Sequence, residues 1–228
     1  MNSILEEDIK NIADSKLVNW EEFNNKSILI TGATGLICSI MIKAFCKKKL
    51  NLKMYLLVRN KENAKQMYGE NENIEYIESS IENFNVEDIK VDYIIHAASP
   101  TKSKFFVEKP VETLNTAVLG TKNILKFAKN IGIKSMVYLS SMEMYGTMND
   151  ENVTEEKLGY INTLNVRSSY SEGKRVCELY CYSYQKEYGV PVKIARIAQT
   201  FGAGISKNEN RVYKIFADAV INKENIVL

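Results

Sequence analysis

Tyr170-Ser171-Glu172-Gly173-Lys174 sets a phenol and an ammonium four positions apart, which on a helix brings both to one face. An ammonium beside a phenol favours phenolate and draws the tyrosine pKa down from about 10, toward values useful to a general base. A tyrosine and a lysine at this spacing are common by chance, and alone they read as surface decoration. The pair gains weight from Ser140-Ser141-Met142-Glu143-Met144-Tyr145-Gly146, which offers a hydroxyl and a carboxylate directly after an apolar segment. A third cluster is Ile28-Leu29-Ile30-Thr31-Gly32-Ala33-Thr34-Gly35-Leu36-Ile37-Cys38, an apolar strand, a glycine turn and a helix start. Gly32 lets the chain leave the strand tightly. Gly35 carries no side chain that would keep a pyrophosphate from the amides at the helix start, where the helix dipole favours negative charge. A tight strand–helix turn with no ligand is the plainer alternative.

The elements that must position these residues follow from the apolar pattern. Strands are expected near Ser27–Thr31, Lys53–Val58, Ile74–Glu78, Val91–His96, Ser135–Ser140 and Val192–Arg196. Helices are expected near Leu36–Lys48, Lys61–Tyr68, Val111–Ile131, Ser169–Tyr188 and Arg211–Asn222. Strands such as Met136-Val137-Tyr138-Leu139 lack polar alternation, as strands covered on both faces do. The β-α-β rhythm points to an α/β fold, a doubly wound parallel sheet of the Rossmann type with helices on both faces. In such sheets ligands bind at the carboxyl edge, where the serine block would stand. Ahead of the sheet, Ser3 and Glu6 suggest a capping box, and Ile4, Leu5, Ile9, Ile12, Ala13 and Leu17 follow with helical spacing. Residues 1–24 therefore read as a helical extension, packed on the domain edge or docked on a partner. Residues 25–228 read as the dinucleotide-binding domain with the start of a substrate-binding region.

Composition bounds the function classes. The 228 residues carry 30 Lys plus Arg against 28 Asp plus Glu, a near-balance that speaks against a dedicated nucleic-acid binder. No apolar run approaches the roughly 20 residues of a membrane helix, and the acidic start does not resemble an export signal. The one histidine, His96, makes a histidine-based zinc site improbable, and no metal is expected. Cys38, Cys46, Cys177 and Cys181 form no CxxC pair, which fits reduced thiols in the cytoplasm.

Taken together, the glycine turn, His96-Ala97-Ala98-Ser99-Pro100, the stretch Lys109–Thr121, the serine block, the YSEGK run and Arg196-Ile197-Ala198-Gln199-Thr200-Phe201-Gly202 resemble the extended short-chain dehydrogenases/reductases. The likeness is to the NAD-dependent epimerase/dehydratase family acting on nucleotide sugars, and within it to the UDP-glucuronate decarboxylases. Arg167, Arg175 and Asn210-Arg211-Val212 look like that branch. The resemblance implies that Tyr170 takes the proton of the sugar 4-hydroxyl, that Ser141 hydrogen-bonds the same oxygen, and that Lys174 keeps Tyr170 acidic and holds the nicotinamide ribose. It implies cofactor contacts at Gly32, Thr34, Gly35, Leu36, Ile37, Arg59, Ala97, Ala98, Ser99, Tyr170 and Lys174. Substrate contacts would come from Ser141, Met142, Glu143, Arg167, Gln199 and Arg211.

Several positions depart from the family pattern. Cys38 stands where a third glycine allows close helix–strand packing, which implies a slightly displaced helix. Arg59 stands where an acid bonds the adenosine ribose of NAD; it suits the 2′-phosphate of NADP, and a solvated surface arginine is the equal alternative. Ser79-Ser80 replace an aspartate near the adenine. Met142 and Glu143 occupy the positions of the Asp–Glu pair of dehydratases, and a thioether donates no proton, which counts against 4,6-dehydration. Glu143 is left to shuttle a proton or orient the ring, or simply to face water. His96 reads as a packed residue at the strand end.

The function implied is C4 oxidation of a nucleotide sugar, a UDP-sugar favoured, with NAD as cofactor and NADP admitted by Arg59. Decarboxylation leads, with 4-epimerisation or 4,6-dehydration as alternatives and a non-catalytic dinucleotide-binding fragment as a different class. A homodimer paired through the Val111–Ile131 and Ser169–Tyr188 helices is also implied. Family members continue into a small carboxy-terminal lobe, so Asn225–Leu228 is expected to start a strand of that lobe, with most of the substrate-gripping surface beyond it.

Overall fold

A computed structural model describes residues 3–86, 88–149, 152–205 and 211–226. Six strands form one parallel sheet: β1 (Lys26–Thr31), β2 (Leu52–Val58), β3 (Ile74–Glu78), β4 (Tyr93–His96), β5 (Ser135–Ser141) and β6 (Val192–Ile197), in the order β3-β2-β1-β4-β5-β6. The order reverses between β1 and β4, which opens a crevice at their carboxyl ends. The connecting helices are α2 (Leu36–Lys48), α3 (Lys61–Tyr68), α4 (Ser103–Glu108), α5 (Pro110–Ile131), α6 (Ser168–Tyr188) and α7 (Val212–Asn222), preceded by α1 (Ser3–Ala13).

Successive residues of the central strands feed two separate cores. Ile28 and Ile30 pack with Cys38, Ile42, Leu56 and Val58 under α2 and α3. Leu29 points the other way, into a core with Ile94, Met136, Ala117, Ile124 and Cys177 under α5 and α6. Both faces of the sheet are thus covered, and continuous apolar runs are what that requires.

The sequence places these elements within a residue or two, with instructive exceptions. β4 begins at Tyr93 rather than Val91, because the Asp92 carboxylate turns to accept from the Ser27 amide at 2.9 Å and to pair with Lys134 at 2.9 Å. The first helix stops at Ala13, and Leu17, expected to follow with helical spacing, is 98% exposed. Past Ala13 the chain turns, so that Trp20 donates to the Ser15 carbonyl and sets its ring edge-on to Phe45. Ser3 is itself helical rather than a cap, and what precedes it lies outside the described residues. Leu5, Ile9 and Ala13 are buried, with Leu5 and Ile9 packed on Ala44, so this helix lies on α2. Asn225 and Ile226 form no strand; Val227, Leu228 and Asn210 lie outside the described residues. The short helix α4 and the 3-10 turn Met142–Tyr145 have no counterpart in the sequence reading.

Candidate functional site

At the switch point, Gly32 takes a φ of +67° and Gly35 closes the turn with its amide on the Gly32 carbonyl at 2.9 Å. A β-carbon on Gly32 would lie 2.8 Å from the Ala97 carbonyl carbon and 2.9 Å from the Ala98 nitrogen. The glycine turn and the segment after β4 are therefore in direct backbone contact. The Thr31 hydroxyl joins them further, accepting from the Ala97 amide at 3.1 Å and the Ala98 amide at 3.0 Å. Its single proton then goes to His96 Nδ1 at 2.7 Å, which leaves Nε2 to donate to the Thr121 hydroxyl at 3.0 Å. Burial lowers the His96 pKa to about 3, with the Lys174 charge acting in the same direction. His96 is a neutral, fully satisfied core residue with one tautomer, as the sequence reading has it.

No side chain caps α2, whose start is Gly35, and Thr34, Gly35 and Ile37 stand exposed around it. Cys38 is buried with its sulfur 3.8 Å from the Thr31 carbonyl, so the thiol points into the strand and away from the crevice. On the facing segment the Ser99 hydroxyl is buried without a hydrogen-bond partner among the described residues. An open helix start, a glycine cradle and an unsatisfied hydroxyl opposite fit a bound dinucleotide. Arg59 follows β2, exposed and without an ion pair among the described residues; the neighbouring acid is Glu78, which accepts the Lys61 amide at 2.9 Å.

Across the crevice, the side chains of Ser141, Glu143, Tyr170 and Arg167 come together. Ser141 ends β5 and accepts the Glu143 amide at 3.2 Å, and its hydroxyl also interacts with the Tyr170 phenol. Glu143 does not simply face water: Arg167 holds it through two contacts of 2.9 and 3.0 Å, and the Ser171 hydroxyl donates to it at 3.2 Å. The Tyr170 ring is stacked on Phe106 of α4, with centroids 4.3 Å apart and planes 6° from parallel. The Arg167 guanidinium lies 4.9 Å from the same Phe106 ring. Sequence reasoning missed Phe106. Its only local signal is the pair Phe105-Phe106 in a short, lysine-flanked stretch.

The titration order inverts the expected one. Burial raises the Tyr170 pKa, with the Glu143 charge adding to it; Ser141 and the Arg167 and Arg211 charges oppose. Lys174 lies 5.7 Å from the Tyr170 ring centre and donates to the Leu139 carbonyl at 2.7 Å. Burial lowers its pKa to about 8. The charges that lower the Tyr170 pKa are thus those of the two arginines, not of the lysine. Met142 stands exposed at the crevice, and Arg211 rests 5.0 Å over the Tyr213 ring. Gln199 lies exposed beyond β6, and the structure does not bring it to the cluster.

Comparison with known proteins agrees with this geometry. The chain is 34% identical over 211 residues to UDP-glucuronic acid decarboxylase 1 of Xenopus tropicalis, covering 91% of this chain and 49% of that protein. It spans about half the length of the curated relatives it matches. Among solved structures, the UDP-N-acetylglucosamine 4-epimerase of Methanobrevibacter ruminantium M1, in complex with UDP-N-acetylmuramic acid, superposes with a TM-score of 0.78 at 23% identity, covering 90% of this chain and 66% of that one. The UDP-glucuronic acid 4-epimerase of Bacillus cereus, in complex with NAD, gives 0.70 at 20% identity over 87% of this chain and 64% of its own. Likeness at these identities is a likeness of fold. The model of one family matches residues 28–228, and by that match the chain belongs to the NAD dependent epimerase/dehydratase family.

Proposed function

We propose that this chain binds a nicotinamide dinucleotide in the glycine-lined crevice and oxidises the C4 hydroxyl of a UDP-sugar, UDP-glucuronate foremost. The observation that carries the reading is the Ser141–Tyr170 pair standing across the switch-point crevice from an uncapped helix start and the unpartnered Ser99 hydroxyl. The decarboxylase relatives support the choice of sugar.

Gly32, Thr34, Gly35, Leu36 and Ile37 would receive the pyrophosphate, Ala97, Ala98 and Ser99 the segment between the two nucleosides, and Tyr170 and Lys174 the nicotinamide end. When bound, the dinucleotide would take the C4 hydride and return it to the ketone once carbon dioxide has left, with Tyr170 giving its proton back to the C4 oxygen, so the net reaction is redox-neutral. Tyr170 takes the hydroxyl proton as general base, and Ser141 holds the same oxygen. A C4 ketone next to a C5 carboxylate is a β-keto acid, so the C5–carboxylate bond breaks to carbon dioxide while the electron pair is held as the enolate. Glu143, ion-paired to Arg167, is placed to orient the ring or to relay a solvent proton to C5. Met142 has no proton to give a departing hydroxide, which supports decarboxylation over 4,6-dehydration. Incubation with UDP-glucuronate and NAD is expected to give carbon dioxide and UDP-xylose. A 4-epimer or a 4-keto-6-deoxy product from UDP- or dTDP-hexoses would replace the reading with epimerisation or dehydration. Saturable dinucleotide binding without turnover would favour a non-catalytic module.

The cofactor form turns on Arg59. With no acid at the end of β2, NADP is expected to bind within about tenfold of NAD, a difference of about 1.4 kcal/mol. Arg59→Asp should weaken NADP by at least about tenfold and spare NAD. Fluorescence titration of both dinucleotides checks this, and NADP binding more than about 100-fold weaker than NAD to the unaltered chain would reduce Arg59 to a solvated charge.

The homodimer remains our reading on the same footing. Val111, Leu114 and Leu119 of α5 and Val176, Leu179 and Tyr182 of α6 expose apolar surface along two helices that pack on each other. Sedimentation at micromolar concentration should show two copies; a monomer would count against pairing through this face.

A further inference from the structure

Ladder hydrogen bonds give out at Ser141, where β5 passes into the short 3-10 turn that carries Glu143. On both sides of that point side chains of α6 hold the segment. Lys174 takes the Leu139 carbonyl, and the Ser140 hydroxyl donates to Glu178 at 2.5 Å. Arg196 fixes Glu178 in turn, with Nη2 at 2.8 Å. Arg175 does the most: Nε donates to the Met144 carbonyl at 2.6 Å, and Nη2 to those of Tyr145 and Gly159 at 3.0 and 2.7 Å. Its Nη1 meets Glu172 at 3.3 Å, which sets the plane of the fork. Gly146, at φ +73°, leaves the room: a β-carbon there would lie 2.9 Å from Arg175 Nη2.

We propose that Arg175, its fork set by Glu172, is a positioning residue that fixes Ser141 and Glu143 in register with Tyr170 by holding the Met144, Tyr145 and Gly159 carbonyls. This rests on the reading above, in which Ser141 and Tyr170 share the sugar oxygen. Three carbonyls spread around one point match a planar guanidinium, whose donors fan out in a fixed fork; a compact ammonium cannot reach all three. The contrasting role is a plain staple for the turn that the Thr147–Tyr160 bridge closes, with no bearing on the reacting groups.

The test compares Arg175→Lys and Glu172→Gln with the unaltered chain. With UDP-glucuronate, Arg175→Lys is expected to lower kcat by about 10- to 100-fold, the scale of a small misplacement of reacting groups. The NAD dissociation constant should stay within about twofold, since the glycine cradle lies on other strands. The acidic limb of kcat/KM should move to higher pH, because the Ser141 interaction that lowers the Tyr170 pKa is loosened. Amides 142–147 should exchange faster in either variant. Faster exchange with kcat and pH profile unchanged would leave only the staple, and unchanged exchange would remove the clamp itself. Should the unaltered chain turn over no nucleotide sugar, the reaction assigned above fails on its own, and amide exchange still decides whether Arg175 holds the segment. Glu172→Gln keeps shape and carries the same test if Arg175→Lys does not fold.

Discussion

Tyr170→Phe is expected to abolish turnover of UDP-glucuronate, with kcat falling by about 1,000-fold or more, while NAD binding persists. Loss of a positioned proton acceptor is worth roughly 10²–10⁴-fold in rate. The ring itself stays useful, because its stack on Phe106 does not involve the hydroxyl. A fold defect would therefore be visible as lost NAD affinity, and a chemical defect as lost turnover alone. The unaltered chain should also show a particular pH profile. The productive form needs Tyr170 deprotonated and Lys174 protonated, and burial sets the first pKa above its ordinary value and the second at about 8. Below pH 8 the population of that form rises about tenfold per unit, and above pH 8 each further tyrosinate is offset by a lost ammonium, so kcat/KM should flatten. Unchanged turnover in Tyr170→Phe would remove the mechanism; a kcat/KM that keeps climbing well past pH 8 would remove Lys174 from it.

Gly32→Ala is expected to damage fold and cofactor binding together. At φ +67° an alanine costs about 1–2 kcal/mol before any contact is considered. Its β-carbon would then press on the Ala97 and Ala98 backbone at 2.8–2.9 Å, where no flexible side chain can give way. Overpacking of this kind adds about 1–3 kcal/mol, so a total near 3 kcal/mol is expected, read as an earlier denaturant midpoint. Whatever shift relieves the clash moves the turn that faces the pyrophosphate, and NAD affinity should drop by about 100-fold. Gly69→Ala is the control: its φ is +73°, yet an added β-carbon meets nothing, so it should show only the backbone cost. If Gly32→Ala behaves like Gly69→Ala, the close approach of the two segments does not matter.

Much of this architecture is written locally in the chain. Ile28-Leu29-Ile30 is apolar on both faces because successive residues enter opposite cores, and Gly32 follows where only a positive φ makes the turn. The spacing of Tyr170 and Lys174 on α6 was legible for the same reason. What could not be read were relations across distance. Lys174 and Tyr170 share a helix face, yet burial and the Leu139 carbonyl, 35 residues away in sequence, decide where the ammonium goes. Glu143 looks like a loop acid until Arg167, 24 residues on, closes on it. Arg175 is tied by the sequence only to a family branch, since backbone carbonyls leave no trace in side-chain patterns. Helix α4 is six residues with no amphipathic repeat, and Phe106 is packed by the Tyr170 ring and the Arg167 guanidinium, both distant in sequence.

The Thr31 hydroxyl has a mechanical consequence. It binds two amides after β4 while giving its proton to His96, so prising β1 and β4 apart would strand two donors and a neutral imidazole at once. That side of the crevice is accordingly a fixed jaw, and on the function proposed above the yielding wall is the opposite one, around Phe106 and Arg167.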